Sequence, residues 1–245
     1  MRREDPNGGL TAGAFFGGRL RVSQNRLGYR FSIDAVLLAH FARLRGTERV
    51  LDLGTGCAII PLILAFRHVR LRVWGIELQP GLAALASANV SANRMDDRIT
   101  ILQEDMRRLT PAMTGGVMDV VICNPPFRRA GAGRLNPSAQ RAVARHEIGI
   151  TLPEILKIAR RMLKIRGRLV VVQAAERLGE LIGRLYDLGI EPKRLRTVHA
   201  DAAGDAKMVL VEGRPGAGAG LNILPPLYLN EGDSASAEVR GMLLP

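Results

Sequence analysis

Asn124-Pro125-Pro126-Phe127 follows directly on the apolar run 117–123 and gathers three groups that can handle one flat amine. The amide oxygen of Asn124 and the carbonyl of Pro125 can each accept a hydrogen bond from a planar NH2 group, while the ring of Phe127 can stack on the heterocycle or amide carrying it. Two successive prolines can neither extend a parallel strand nor begin a well-bonded helix, so the chain must leave the sheet there as a stiff loop. By themselves the four residues also suit a plain proline-rich turn. A second constellation lies upstream, where Val50-Leu51-Asp52-Leu53-Gly54-Thr55-Gly56 passes from a buried strand through an acid and a glycine turn into the helical pattern Ile59, Ile60, Leu62, Ile63. Gly54 and Gly56 leave room for a ligand against the main chain, and the helix start offers unpaired N–H groups. Glu77 closes the next apolar strand (Leu71, Val73, Trp74, Ile76), where a nucleotide-binding unit carries the acid that takes two ribose hydroxyls. Asp105, after the third run 99–102, either reaches a nucleobase amine across the sheet crevice or is a solvated loop acid.

The elements that must position these residues alternate. Strands are expected at 50–53, 71–76, 99–102, 117–123 and 169–172, and Pro80 opens a helix stopped near Asn93. Ser32-Ile33-Asp34 precedes the apolar helix face Ala35, Val36, Leu37, Leu38, Phe41 and Leu44, so that Asp34 suits either a cap or a ligand contact. Thr151-x-x-Glu154 is a capping box, and the helix behind it is expected to run to Gly167, with Lys157, Arg160, Arg161 and Lys164 on its polar face. A further helix carries Leu178, Leu181, Ile182 and Leu185, and the runs 193–199 and 206–211 read as an antiparallel hairpin. The expected division is a loose N-terminus over 1–18, one domain over 19–213 with an N-terminal helical extension, and a linker and tail over 214–245.

The chain of 245 residues can bury a full core, and its 35 Lys and Arg against 23 Asp and Glu give a net charge of +12. That excess fits a polyanionic partner, or an arginine-rich genome. Arg128, Arg129, Arg134, Arg141 and Arg145 form a basic stretch without an acid, suited to a phosphate backbone or to a solvated surface loop; His146 beside it is a base or an anchor. Cys57 and Cys123 are the only cysteines, which argues against a disulfide framework and against a zinc site; a cytoplasmic protein without a metal is expected. No run has the length of a membrane helix.

Five alternating βα units followed by a hairpin resemble the S-adenosylmethionine-dependent methyltransferase fold. That resemblance implies an α/β, Rossmann-like, seven-stranded and mostly parallel sheet with an antiparallel C-terminal hairpin strand and helices on both faces. Asp52-Leu53-Gly54-Thr55-Gly56 resembles its glycine motif, Glu77 its ribose-binding acid and Asp105 its adenine contact; Asn124 would touch both cofactor and acceptor. Cys57-Ala58 stands where Ser-Gly is more usual. Asn124-Pro125-Pro126-Phe127 resembles the motif of enzymes that methylate exocyclic or amide nitrogens. Arg30-Phe31-Ser32-Ile33-Asp34-Ala35-Val36-Leu37-Leu38 and Ala144-Arg145-His146-Glu147 are similar to the bacterial valine-tRNA adenine-N6 methyltransferase family. The resemblance implies S-adenosylmethionine as cofactor, tRNA or another structured RNA as partner, and Asn124, Pro125 and Phe127 as the catalytic set. Alternative acceptors are ribosomal guanine N2, DNA adenine and a protein glutamine amide. An idle RNA-binding protein of this fold, and on the glycine loop alone a nicotinamide oxidoreductase, are the readings of other classes.

Overall fold

The computed structural model describes residues 9–25, 32–125, 127 and 150–243. A hairpin of β1 (Leu10–Phe15) and β2 (Leu20–Asn25) leads into α1 (Ile33–Phe41). Then follow β3 (Arg49–Leu53), α2 (Ile59–Arg67), β4 (Arg72–Glu77), α3 (Pro80–Ala92), β5 (Ile99–Gln103) and β6 (Met118–Cys123). The second half holds α4 (Leu152–Met162), β7 (Leu163–Ala174), α5 (Leu178–Asp187), β8 (Ile190–His199) and β9 (Ala206–Pro215). Two short strands, β10 (Asn222–Ile223) and β11 (Leu227–Tyr228), and a last helix, α6 (Ala237–Leu243), complete the described chain.

The sheet runs β5-β4-β3-β6-β7-β9-β8, parallel except for β9, which is antiparallel to both neighbours; β10 and β11 add to β8. The expected seven-stranded α/β architecture is therefore present. β3 has β4 on one side and β6 on the other, so strand order reverses there and a crevice opens beyond their carboxyl ends. Alternating side chains divide the core into two layers. Val50, Val73, Val120 and Ile122 meet α1, α2 and α3, whereas Leu51, Leu53, Ile76 and Val121 meet α4 and α5. Among the described residues no helix is long and apolar enough to cross a membrane.

Three local expectations give way. Residues 10–15 form a strand rather than a loose terminus, and Asn89 of α3 and Asn93 just after it tie the hairpin down. The Asn89 amide accepts the Ser23 N–H at 2.8 Å and donates to its carbonyl at 3.0 Å, and Asn93 does the same for Arg21 at 2.9 and 2.7 Å, so two side chains stand in for a neighbouring strand. The helix expected to reach Gly167 stops at Met162, because β7 begins at Leu163 and Gly167 packs within it; a Cβ there would lie 2.9 Å from both the Leu163 Cδ2 and the Lys164 carbonyl oxygen. In the expected linker and tail, β10 and β11 extend the sheet, Leu227 is buried with Leu224 and Leu229 packed beside it while Ile223 stays exposed, and the Leu243 carbonyl accepts the Phe16 N–H at 3.2 Å.

A candidate active site at the carboxyl ends of the strands

Asp52 is the last residue but one of β3, and it is 1 % exposed. The Thr55 hydroxyl donates to its Oδ2 at 2.7 Å, while Oδ1 is buried with no hydrogen-bond partner among the described residues. Burial first, and then the Glu77 charge, push the Asp52 carboxyl up to about 7, against the pull of the Thr55 hydrogen bond. Thr55 can fold over the acid because Gly75, opposite Asp52 on β4, has no side chain; a Cβ there would meet the Thr55 Oγ1 at 2.8 Å. Glu77 spans the turn from the far side. Its carboxylate accepts the N–H of Gly56 and that of Gln79, each at 2.9 Å, and burial holds its pKa above the usual range.

The turn itself is a chain of left-handed residues. Gly54 and Gly56 have φ of 76° and 59°, and Ala58, at the start of α2, has 67°. The first two conformations are free only to glycine, whereas Ala58 holds its own against a steric penalty. The Gly54 and Thr55 N–H groups donate to the Ile76 carbonyl at 3.0 and 2.9 Å, stitching the loop to the end of β4. The Cys57 carbonyl accepts from Asn89 at 3.0 Å. Burial pushes the Cys57 thiol up to about 12 and raises that of Cys123 as well, so both are protonated packing groups rather than nucleophiles.

Across the crevice, Asn124 leaves β6 and donates through Nδ2 to the Asp34 Oδ2 at 3.3 Å. Ser32 donates its hydroxyl to the other oxygen of the same carboxylate. An ionised carboxylate only accepts, so the contact selects one of the two amide orientations and turns the Asn124 carbonyl oxygen away from Asp34. Burial raises the Asp34 pKa, opposed by the hydrogen bond from Asn124. The loop that follows is anchored as well. Pro125 is buried, Phe127 packs on the α1–α3 layer of the core, and its carbonyl accepts from Arg177 at 3.4 Å. Arg177 is buried and paired with Glu180 at 2.9 Å.

Asp52, Gly54, Thr55, Gly56, Glu77 and Asn124 thus converge on one edge of the sheet. Asp105 also follows a strand of that edge, but its carboxylate accepts from the Arg107 side chain at 2.6 to 3.0 Å, and that guanidinium holds its pKa below the usual range. Pro126, Arg128, Arg129, Arg134, Arg141, Arg145 and His146 lie outside the described residues. Gly75 and Arg177 join the site without having been singled out for it, and Asp34, read as either a cap or a ligand contact, joins it as the partner of Asn124. The signal for Asp34 was an acid at the start of an apolar helix; the other two carried none.

A cationic ligand with a nucleoside would fit this edge. Asp52 and Glu77 are buried acids that meet no cation among the described residues, one oxygen of Asp52 has no partner, and the left-handed turn offers its main chain. A sulfonium-bearing nucleoside such as S-adenosylmethionine has the matching charge and hydroxyls. Among the described residues no cluster of three or more His, Cys, Asp or Glu stands ready for a metal.

The comparisons with known proteins agree with that geometry. The family model of the methyltransferase small domain matches residues 32–182. A protein of Porphyromonas gingivalis named tRNA1(Val) (adenine(37)-N6)-methyltransferase is 33% identical over 205 residues, covering 80% of this chain and 79% of its own. One of the same name from Aeromonas hydrophila is 28% identical over 219 residues, with 88% and 86% covered. Among solved structures, a predicted O-methyltransferase of Agrobacterium tumefaciens superposes with a TM-score of 0.67 at 20% identity, over 85% of this chain and 94% of that one. At that identity the likeness speaks for the fold alone.

Proposed function

Since the chain belongs to the methyltransferase small domain family, we propose that it transfers a methyl group from S-adenosylmethionine to the exocyclic N6 of an adenine in tRNA. Adenine 37 of a valine tRNA, the target in the relatives' names, is the acceptor to test first. The cofactor, when bound, supplies a methyl that is already electrophilic. What remains for the protein is to hold the cofactor, place the nitrogen in line with the methyl and stabilise charge on it.

Asp52, Gly54, Thr55, Gly56 and Glu77 are the residues that would hold the cofactor. Each Glu77 oxygen accepts one main-chain N–H and retains a lone pair for a ribose hydroxyl, and the unpartnered Asp52 Oδ1 suits an ammonium group. Asp105 would take the adenine amine of the cofactor by sharing its oxygens with Arg107. The acceptor nitrogen is a poor nucleophile, because its lone pair is delocalised into the ring. Accepting hydrogen bonds from its two N–H groups at the Asn124 Oδ1 and the Pro125 carbonyl favours pyramidal nitrogen and stabilises the positive charge that develops as the N–C bond forms and the S–C bond breaks; the methylated nitrogen then loses one of those protons to water. Phe127 stacks on the flipped base in place of the neighbour it leaves. The basic stretch from Arg128 to Arg145 would lie against phosphates.

The observation that carries this reading is the Asn124 to Asp34 hydrogen bond, which leaves the amide oxygen as the acceptor facing away from Asp34. The experiment is transfer of labelled methyl from S-adenosylmethionine into unmodified tRNA, ribosomal RNA, DNA and protein, followed by nucleoside mass analysis. N6-methyladenosine in tRNA is expected. Label found in protein, or as methylguanosine, would overturn the acceptor assignment.

A further inference from the structure

At the amino ends of the same strands, six cationic side chains surround one cleft of about 300 Å³. Arg43 and Arg45 come from the turn before β3, Lys164, Arg166 and Arg168 from the start of β7, and Arg214 from the end of β9. The acids in the lining are Glu48 and Asp119, which leaves four positive charges in excess. Both acids are already committed. The buried Glu48 accepts the N–H groups of Arg45 at 2.7 Å and Gly46 at 2.8 Å and pairs with Arg168 at 2.7 Å. Asp119 pairs with Lys164 and accepts the Arg49 N–H at 2.8 Å. Behind the wall, Glu212 is shared between Arg214 at 3.0 Å and Arg194 at 2.7 Å. Arg43, Arg45 and Arg166 are exposed and form no ion pair among the described residues.

This arrangement is built into the backbone. Met118 pairs with Leu163 and Val120 with Arg168, so the four residues from Lys164 to Gly167 face Asp119 alone and bulge out of the β6–β7 ladder, with Arg166 in the left-handed region at φ 62°. Gathering like charges around a fixed floor raises the free energy of the unliganded protein, and an anion lowers it. The buried Arg194 registers the crowding: burial depresses its pKa first, and the charges of Arg43 and Arg168 add to the fall. Guanidinium forks match phosphate oxygens, and the lining holds no aromatic ring on which a base could stack. β3 is five residues long, so roughly 15 Å of sheet separates the cleft from the catalytic edge, and an RNA that reached both would pass around the outside of the protein.

We propose that this cleft is a second phosphate site, which grips the sugar-phosphate backbone of the RNA substrate at the sheet edge remote from the reacting base. The inference rests on the reading of the protein as a tRNA methyltransferase. It is tested on the full chain with R43Q/R45Q/R166Q, beside a variant with equal charge loss elsewhere, R70Q/R94Q/R184Q, by steady-state methylation of tRNA and by tRNA binding over a salt series. The cleft variant is expected to raise KM for tRNA about tenfold with kcat within twofold of wild type. The plot of log affinity against log salt should become shallower by about 2, the loss of two or three phosphate contacts. The control should change neither by more than a small factor.

A cleft variant indistinguishable from the control in KM and salt slope would overturn the proposal. Pyrophosphate raising the melting temperature of wild type but not of the cleft variant, with KM for tRNA unchanged, would assign the cleft to a free phosphate anion and overturn the RNA assignment. A wild-type enzyme that methylates no RNA in the same assay would instead remove the functional reading itself.

Discussion

At the carboxyl ends of the strands, Asp34, Asp52 and Glu77 are buried carboxylates held by N–H and O–H donors, and none is ion-paired among the described residues. At the amino ends, Arg43, Arg45 and Arg166 are cations without an acid, set around ion pairs that are already complete. One sheet therefore carries uncompensated negative charge at one edge and uncompensated positive charge at the other. Each surplus costs free energy in the unliganded protein, and under the two proposals each would be matched by a ligand of the opposite sign: a sulfonium cofactor at one edge and a nucleic-acid backbone at the other. The buried edge is specific because its groups have fixed partners and few alternatives. The exposed edge is screened by salt and contributes mostly to affinity.

The largest effect is expected where the buried edge meets the acceptor. Asn124→Ala removes the amide oxygen offered to the amine and should lower kcat about 10²- to 10³-fold, with cofactor affinity by calorimetry falling far less. Asp34→Asn should be milder, roughly tenfold to a hundredfold in kcat, because an asparagine at 34 can donate to Asn124 and turn its amide round. The pH profile separates this from a folding defect. The Asp34 pKa is raised, so in the wild type kcat should fall as pH drops through that value and the carboxylate becomes a donor. The corresponding limb should be missing in Asp34→Asn. Equal profiles for the two proteins would show that the amide is oriented by something else.

Asp52 makes the comparison one of stability. Its folded-state pKa, about 7 against an ordinary 3.8, means the folded protein binds the proton more tightly than the unfolded chain. The unliganded protein therefore gains from this group as pH falls from 7 towards 4, and loses that gain as pH rises through 7. Asp52→Asn, which keeps an oxygen for the Thr55 hydroxyl and carries no charge, should raise the neutral-pH melting temperature of the cofactor-free protein, by about 2–4 °C for each kcal/mol recovered. It should flatten the pH dependence across that window while weakening cofactor binding. A variant less stable than wild type at pH 7 would mean that the charge is compensated in solution. The cleft variant, by contrast, should change melting little at ordinary salt, because its charges are exposed.

The buried edge was largely legible in the sequence, and the exposed one was not. Strand, acid and glycine turn are contiguous from Val50 to Gly56, and Asn124 to Phe127 is a local break that only a strand end accommodates; such signals are written in neighbouring residues. Glu77 was found by its place after the second strand, and its carboxylate does close on the Gly56 N–H. Asp34 could not be assigned, because its partner lies 90 positions away. Gly75 looked like an ordinary strand residue until Thr55 was folded over it. The amino-end cleft draws on segments separated by well over a hundred positions, and its bulge lies where the sequence still reads as helix, with Gly167 as the apparent stop. Pairing of β7 with β6 outweighed that local preference, as tertiary contacts commonly do.

The two edges share one further feature, and it yields the smallest effect. Ala58 at the glycine turn and Arg166 at the bulge both occupy the left-handed region, with φ of 67° and 62°, where a side chain costs about 1 kcal/mol. Arg166→Gly should recover most of that penalty, less the extra freedom glycine gives the unfolded chain, and Ala58→Gly a smaller part of it, because a buried methyl is lost as well. Rises in melting temperature of about 1–3 °C are expected in thermal denaturation. The consequences for binding should differ. Glycine at 58 removes a buried methyl from a loop whose N–H and carbonyl contacts are main chain, so cofactor and tRNA affinities should hold. Glycine at 166 removes a cation, so the gain in stability should come with weaker tRNA binding, and more so at low salt. If both variants gained stability and neither lost affinity, Arg166 would be left with no role beyond the surface, and the cleft's excess charge would be one smaller than the proposal needs.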